Sequence, residues 1–240
     1  GGIKGYTSAT RNETIRNCVN YGKIEGDTVG GVIGFLSGKK NEVAEIDNCY
    51  NYGEVIGKNN SGGIIGGFGQ GDVNIKNCFN YGELTGKREC GGIVGYCLGG
   101  DYNALIHLNI FNSANVGNMN SPKTSGGIVG AQGRTVKEDF ITVENTYNIG
   151  KLTGSYVGNI IGEIEIPLTG SEMRTMATNA YYVEGNPIGK GSLTSGSGTL
   201  KTKNEICSQA FVNLLNQNIG SNSDWKKWKI GGNGYPEFDI

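Results

Sequence analysis

A block of about thirty residues recurs along most of this chain and decides what it can fold into. Its clearest copy is Ile75-Lys76-Asn77-Cys78-Phe79-Asn80-Tyr81-Gly82, followed by Gly91-Gly92-Ile93-Val94-Gly95. Earlier copies begin Ile15-Arg16-Asn17-Cys18 and Ile46-Asp47-Asn48-Cys49, each closed by its own glycine-rich tetrad. Later copies decay to Ile110-Phe111-Asn112-Ser113 and Val143-Glu144-Asn145-Thr146, and a last fragment is Asn179-Ala180-Tyr181-Tyr182. The leading glycines Gly1, Gly30, Gly62, Gly91, Gly126 and Gly158 are 29, 32, 29, 35 and 32 residues apart. Self-similarity at such a period means stacked supersecondary units, each covering the apolar face of its neighbour.

Each unit holds three short β-type stretches: the tetrad, the Ile-x-Asn-Cys run, and a run ending in glycine such as Glu54-Val55-Ile56-Gly57. Glycine and asparagine between them tolerate the left-handed backbone that sharp corners need. Two asparagine columns fall in register, Asn17, Asn48, Asn77, Asn112, Asn145, Asn179 and Asn20, Asn51, Asn80, Asn115, Asn148. Stacked at the spacing of parallel strands, such side chains hydrogen-bond from coil to coil. A third column reads Tyr21, Tyr52, Tyr81, then Val116 and Ile149, and a fourth alternates in sign through Arg16, Asp47 and Lys76. The predicted fold is all-β: a right-handed parallel β-solenoid of about six coils. Glycine at 43 of 240 residues with only 4 prolines fits neither collagen nor a flexible linker, because the glycines keep to the repeat. A hydrophobic content of 36% suffices for a solenoid, where each coil needs few inward residues.

The repeat is expected over residues 1–199. Residues 200–240 form a C-terminal cap that closes the stack. Thr202-Lys203-Asn204-Glu205 is a capping box, and Ile206, Ala210, Phe211, Leu214 and Leu215 share one helical face up to a stop at Asn218 or Gly220. Trp225, Trp228, Tyr235, Pro236 and Phe238 add an aromatic tail suited to covering exposed core and strand edges. Spacing between copies varies at one corner, which lengthens at residues 96–106, 131–140 and 163–176. Loops gathered on one face of a solenoid are where such proteins bind. The chain opens inside a repeat, at Gly1-Gly2-Ile3-Lys4-Gly5, and is expected to be a piece of a longer protein.

The Gly-[Ile/Val]-[Ile/Val]-Gly tetrad after Asn-Cys-x-Asn-Tyr-Gly resembles the GLUG-type repeat. The matching tetrads are Gly31-Val32-Ile33-Gly34, Gly63-Ile64-Ile65-Gly66, Gly92-Ile93-Val94-Gly95 and Gly127-Ile128-Val129-Gly130. The resemblance implies a secreted or cell-surface bacterial protein. The same repeat occurs outside the catalytic part of metallopeptidases that cleave immunoglobulin A, and it implies no catalytic residues here.

The residues themselves offer little for chemistry. A zinc peptidase needs a His-Glu-x-x-His helix, and the chain has one histidine, His107. Cys18, Cys49 and Cys78 occupy a slot later filled by Ser113, Thr146 and Ala180, which reads as a small, half-buried position rather than a disulfide framework. No Asp recurs in register for calcium, and the Gly-rich segments lead into no phosphate loop. A polysaccharide-cleaving β-helix, a second alternative, needs converging carboxylates, but the column Lys23, Glu54, Glu83, Asn118, Lys151 has mixed charge, and Asp72, Glu89 and Asp101 lie near loops, where the sequence does not bring them together. Net charge is -1, so nothing attracts nucleic acid, and no apolar run reaches the roughly 20 residues of a membrane span. The expectation is therefore a non-catalytic structural or adhesive segment of an extracellular or cell-surface protein, without cofactor or metal. Its partners would be host surface glycans or proteins, or cell-wall polysaccharide. The alternative is a carbohydrate-binding module using Tyr52, Tyr96 and Tyr102 as stacking rings, which requires those rings to face solvent.

Overall fold

In the computed structural model, residues 1–8, 12–38, 42–98, 105–133, 139–164, 174–186 and 198–239 are described. They form a parallel β-solenoid of about five turns. The tetrad strands Lys4–Ser8, Ile33–Ser37, Ile65–Phe68, Val94–Cys97, Val129–Gln132 and Ile161–Ile164 line up in chain order as one parallel sheet. Partial coils at the two ends bring this face to six strands. A second face carries the Ile-x-Asn-Cys runs, with Ile15 opposite Ile46, Ile46 opposite Ile75, Ile75 opposite Ile110 and Ile110 opposite Val143. The third face stacks Ile24–Gly30 on Val55–Gly62, and then Leu84–Gly86 and its successors. Ile and Val side chains of the first two faces meet inside the coil as one continuous core, including Ile33, Ile46, Ile64, Ile75, Ile93 and Ile110 at zero exposure.

The corners divide the labour between asparagine and glycine differently from the sequence reading. Asn17, Asn48, Asn77, Asn112, Asn145 and Asn179 have φ of +57°, +55°, +53°, +44°, +51° and +51°, and are the only non-glycine positive-φ residues among those described. Asparagine enters this left-handed region at low cost because its short side chain finds local hydrogen bonds. The Gly-Gly pairs do not take it. They are glycines because the chain passes too close to its neighbours: a Cβ on Gly62 would lie 1.8 Å from the Ile65 carbonyl oxygen, and one on Gly63 2.1 Å from that of Gly92. Past each asparagine corner the small slot turns inward, where Cys49 Sγ donates to the Asp47 carbonyl at 3.4 Å, Cys78 Sγ to Lys76 at 3.2 Å and Ser113 Oγ to Phe111 at 2.7 Å. All six cysteines are free thiols, and burial pushes Cys90 up to about 12.

The asparagine columns are hydrogen-bonded ladders. Asn20, Asn51, Asn80 and Asn115 each donate Nδ2 to the Oδ1 of the asparagine one coil on, at 2.7, 2.8, 2.7 and 2.8 Å. Each also donates to the carbonyl of the glycine two residues later, at 2.8 to 3.0 Å. The corner column runs in the opposite sense, with Asn112 donating to Asn77 and Asn145 to Asn112, both at 2.8 Å. It is interrupted where Asn77 turns to Asp47 instead.

The C-terminal segment docks on that corner column, along the flank of the stack. The capping box at Thr202 and Glu205 forms, but the predicted helix is two: Lys203–Ile206 and Gln209–Ile219, with Ser208 capping the second. The break shifts the helical phase, so Phe211, Val212, Leu215 and Ile219 are buried, while Ala210 is exposed and Leu214 half-buried. Gly220, at φ +55°, ends it. A hairpin pairs Trp228–Ile230 with Pro236–Phe238. Helix and hairpin close over Tyr50, Phe79, Ala114, Tyr147 and Tyr181 as a second apolar core. The Trp228 indole N–H donates to Asn112 Oδ1 at 2.7 Å, and Asn112 and Asn77 donate to the Lys226 and Asp224 carbonyls at 2.9 Å. Arg16 pairs with Asp47 at 3.8 Å, as the alternating column suggested, whereas Lys76 pairs with Asp224 of the cap.

Two consequences are measurable. Replacing Asn80 by alanine orphans a donor on Asn51 and an acceptor on Asn115, both buried. The expected loss is about 2–4 kcal/mol in urea unfolding, with Asn20→Ala at the ladder's end costing about half as much; equal losses would deny the ladder its role. Burial, the leading cause in each case, holds the phenols of Tyr50, Tyr81 and Tyr147 protonated well above the usual tyrosine range. The unfolded chain releases those protons near pH 10, so stability contributed by the three is present below about pH 10 and falls as pH rises past it. A Tm flat between about pH 9 and pH 11 would contradict this.

Candidate functional site

The tyrosine column stacks ring on ring along the solenoid. Tyr21 and Tyr52 have centroids 5.1 Å apart at 12°, and Tyr52 and Tyr81 4.4 Å apart at 7°. Phe79 stacks on Tyr81 at 4.1 Å and 11°. Two rings parallel to Tyr81 at such short distances cannot share one of its faces, so both its faces are covered. Tyr52 is covered likewise by Tyr21 and Tyr81. Tyr21 is 76% and Tyr52 43% exposed, yet what Tyr52 offers solvent is its edge and hydroxyl. Exposure is thus present, but at Tyr52 and Tyr81 the free face that sugar stacking needs is taken up by the column itself, and only the end ring, Tyr21, has one face without a stacked ring among the described residues.

Where the column changes from tyrosine to Val116 and Ile149, the side chains shorten while the cap hairpin stays alongside. The difference opens a groove of about 820 Å³ floored by Tyr81, Val116, Ile149 and Val183 and walled by Tyr235. This volume is within the range of small-ligand pockets. Tyr235 is half-buried, and its ring contact is with Tyr81, 6.5 Å away and tilted by 41°; among the described residues no ring stacks on its faces. Burial raises the phenols of Tyr52 and Tyr235 above their ordinary value, and Glu237 nearby adds to the effect. The rim carries Lys151, Lys203, Glu184 and Glu237, two charges of each sign.

Of the rings singled out in the sequence, Tyr52 lines this groove. Tyr96 is half-buried on the tetrad face, between Gly67 and Ala131, and so is not brought to the groove. Tyr102 lies outside the described residues. Tyr235 and Lys203 were read in the sequence as parts of the cap and Glu237 was not singled out, because their place at the groove depends on the cap folding back, which no repeat position announces. The lengthened corner joins the tetrad face to the second face, and residues 99–104, 134–138 and 165–173 of it lie outside the described residues.

The acidic residues weighed in the sequence are dispersed. Asp72 pairs with His107 Nδ1 at 2.6 Å on the second face, where the imidazole also stacks on Phe140 at 4.2 Å. Glu89 is buried on the third face and paired with Lys123 at 3.0 Å. Glu54 pairs with Lys23 at 3.2 Å, and Asp101 lies outside the described residues. Among the described residues, no three His, Cys, Asp or Glu gather as a metal site, and no helix is long and apolar enough to cross a membrane.

No family model matches the chain, and no curated protein does. Among solved structures it is similar to a candidate immunoglobulin A1 protease from Bacteroides ovatus. The TM-score is 0.63 with 25% sequence identity, over 99% of this chain and 74% of that one.

Proposed function

We propose that this chain is a non-catalytic structural and adhesive segment of a larger secreted or cell-surface bacterial protein, built of GLUG-type coils. Its work is rigid display: the stack presents the cap-side groove, and the side on which its corner lengthens, to extracellular ligands. The observation that carries this reading is the continuity of the buried asparagine ladder from Asn20 to Asn148. It pins every coil to the next while leaving outward positions free to vary, which suits a scaffold. The likeness to a candidate immunoglobulin A1 protease adds support, since the resemblance seen in the sequence places such repeats outside the catalytic part. A polysaccharide-cleaving enzyme would need two carboxylates facing one bond; Asp72 and Glu89 stand on different faces, while Glu184 and Glu237 share the rim of the cap-side groove, so cleavage is tested directly.

The test is incubation of the purified chain with immunoglobulin A1 and with a panel of soluble polysaccharides, followed by electrophoresis and chain-length analysis. Unchanged substrates are expected, along with surface labelling of intact source cells by antibody to this chain. Cleavage that co-purifies with the folded chain would overturn the non-catalytic reading, and a purely internal antibody signal would overturn the display role.

A further inference from the structure

The groove between the interrupted tyrosine column and the cap has the chemistry of a ligand site, and its occupant can be narrowed. Its floor is apolar: the edge of Tyr81, then Val116, Ile149 and Val183. The backbone of that floor is already spent, with the Val116 N–H donating to Asn80 at 2.9 Å and the Ile149 N–H to Asn115 at 3.0 Å. A peptide adding itself as a strand would find no ladder to join. The rim charges Lys151, Lys203, Glu184 and Glu237 balance, and none forms an ion pair among the described residues. A balanced rim gives no net attraction to a polyanion or polycation, and an acyl chain lying there would strip water from four charges without replacing it. A ligand with an apolar face for the floor and neutral hydroxyls for the rim satisfies both. That describes a sugar ring, whose C–H face packs on aliphatic and aromatic surface and whose hydroxyl edge both donates and accepts.

We infer that this groove binds a neutral oligosaccharide, with Tyr235 as the stacking ring, Val116 and Ile149 as the apolar floor, and Lys203, Glu184 and Glu237 as hydroxyl partners. Within the groove the stacking role falls to the hairpin ring Tyr235, which carries no stacked ring, because the column rings that reach the groove, Tyr52 and Tyr81, have both faces covered. This inference rests on the adhesive reading above and names its ligand class.

The column itself supplies a conservative test. Val116→Tyr and Ile149→Tyr put back the residue that the first three coils carry and fill the hollow; both positions are half-buried at the edge of the cap-side core and outside the core within the coils. Tyr235→Ala removes the stacking ring instead. The chain and these variants are applied to an array of neutral, sialylated and sulfated glycans. Any neutral hit is followed by titration calorimetry, with thermal unfolding to confirm that each variant is folded. Binding of neutral glycans that weakens about tenfold or more in Tyr235→Ala and in at least one filling variant is the expected result. Absence of binding, binding confined to charged glycans, or neutral binding that survives all three substitutions would overturn the inference. Chain-length analysis of the bound oligosaccharide separates the two readings. Shortening of the sugar would sink the non-catalytic reading while leaving the groove's ligand in place. No binding without any cleavage would sink the groove and leave the scaffold reading standing.

Discussion

A single asparagine amide, repeated coil by coil, governs most of this molecule. Asn51, Asn80, Asn115 and Asn148 have zero exposure, and an amide stripped of water must find its partners inside the protein or lose about 1–3 kcal/mol for each unmet group. From Asn20 to Asn115, each satisfies one N–H on the next asparagine and the other on the glycine carbonyl two residues along. That double demand draws the backbone into close contact. A Cβ on Gly82 would lie 2.0 Å from the Gly53 carbonyl oxygen and 2.7 Å from the Asn51 amide nitrogen, and one on Gly92 2.5 Å from the Asn115 side chain. The glycine of Tyr-Gly and the second of each Gly-Gly pair therefore follow from the ladder, and their abundance is a steric requirement more than a conformational one.

The second asparagine column does a different job with the same chemistry. Its members take the left-handed corner, which leaves their side chains pointing to the flank, where the cap finds them. Leu215, Asp224, Lys226 and Trp228 supply the acceptors and donors that the corner amides still need, so the cap completes a polar ladder while its apolar side buries an aromatic column. Polar satisfaction and hydrophobic burial reinforce each other here, because the hydrogen bonds fix the register in which Phe79, Tyr147, Phe211 and Trp228 meet.

The candidate site arises where the repetition lapses. Three tyrosines stack, with both faces of Tyr52 and Tyr81 covered; two shorter side chains follow and the stack ends. An unbroken column would have left no groove. The cap, held at a distance set by the buried core beneath it, cannot collapse into the gap. A binding concavity thus comes from two ordinary substitutions in a periodic array.

The period, the parallel register, the asparagine ladders and the capping box were legible in the sequence because they depend on residues close in the chain or identical across copies. The corner conformation of Asn17 and its equivalents follows from the same regularity. Three things were decided only by the tertiary structure. The glycine pairs turned out to serve close approach, since the first meets the carbonyl three residues on and the second that of the neighbouring coil. The cap lies along the flank, since its partners Asn77, Asn112 and Asn145 are distant from it in sequence. The groove pairs Val116 and Ile149 with Tyr235 and Glu237, residues that share no repeat and meet only because the chain folds back on its own ladder. Periodic contacts repeat their signature in every copy and can be read; a contact made once, between distant segments, leaves no such trace.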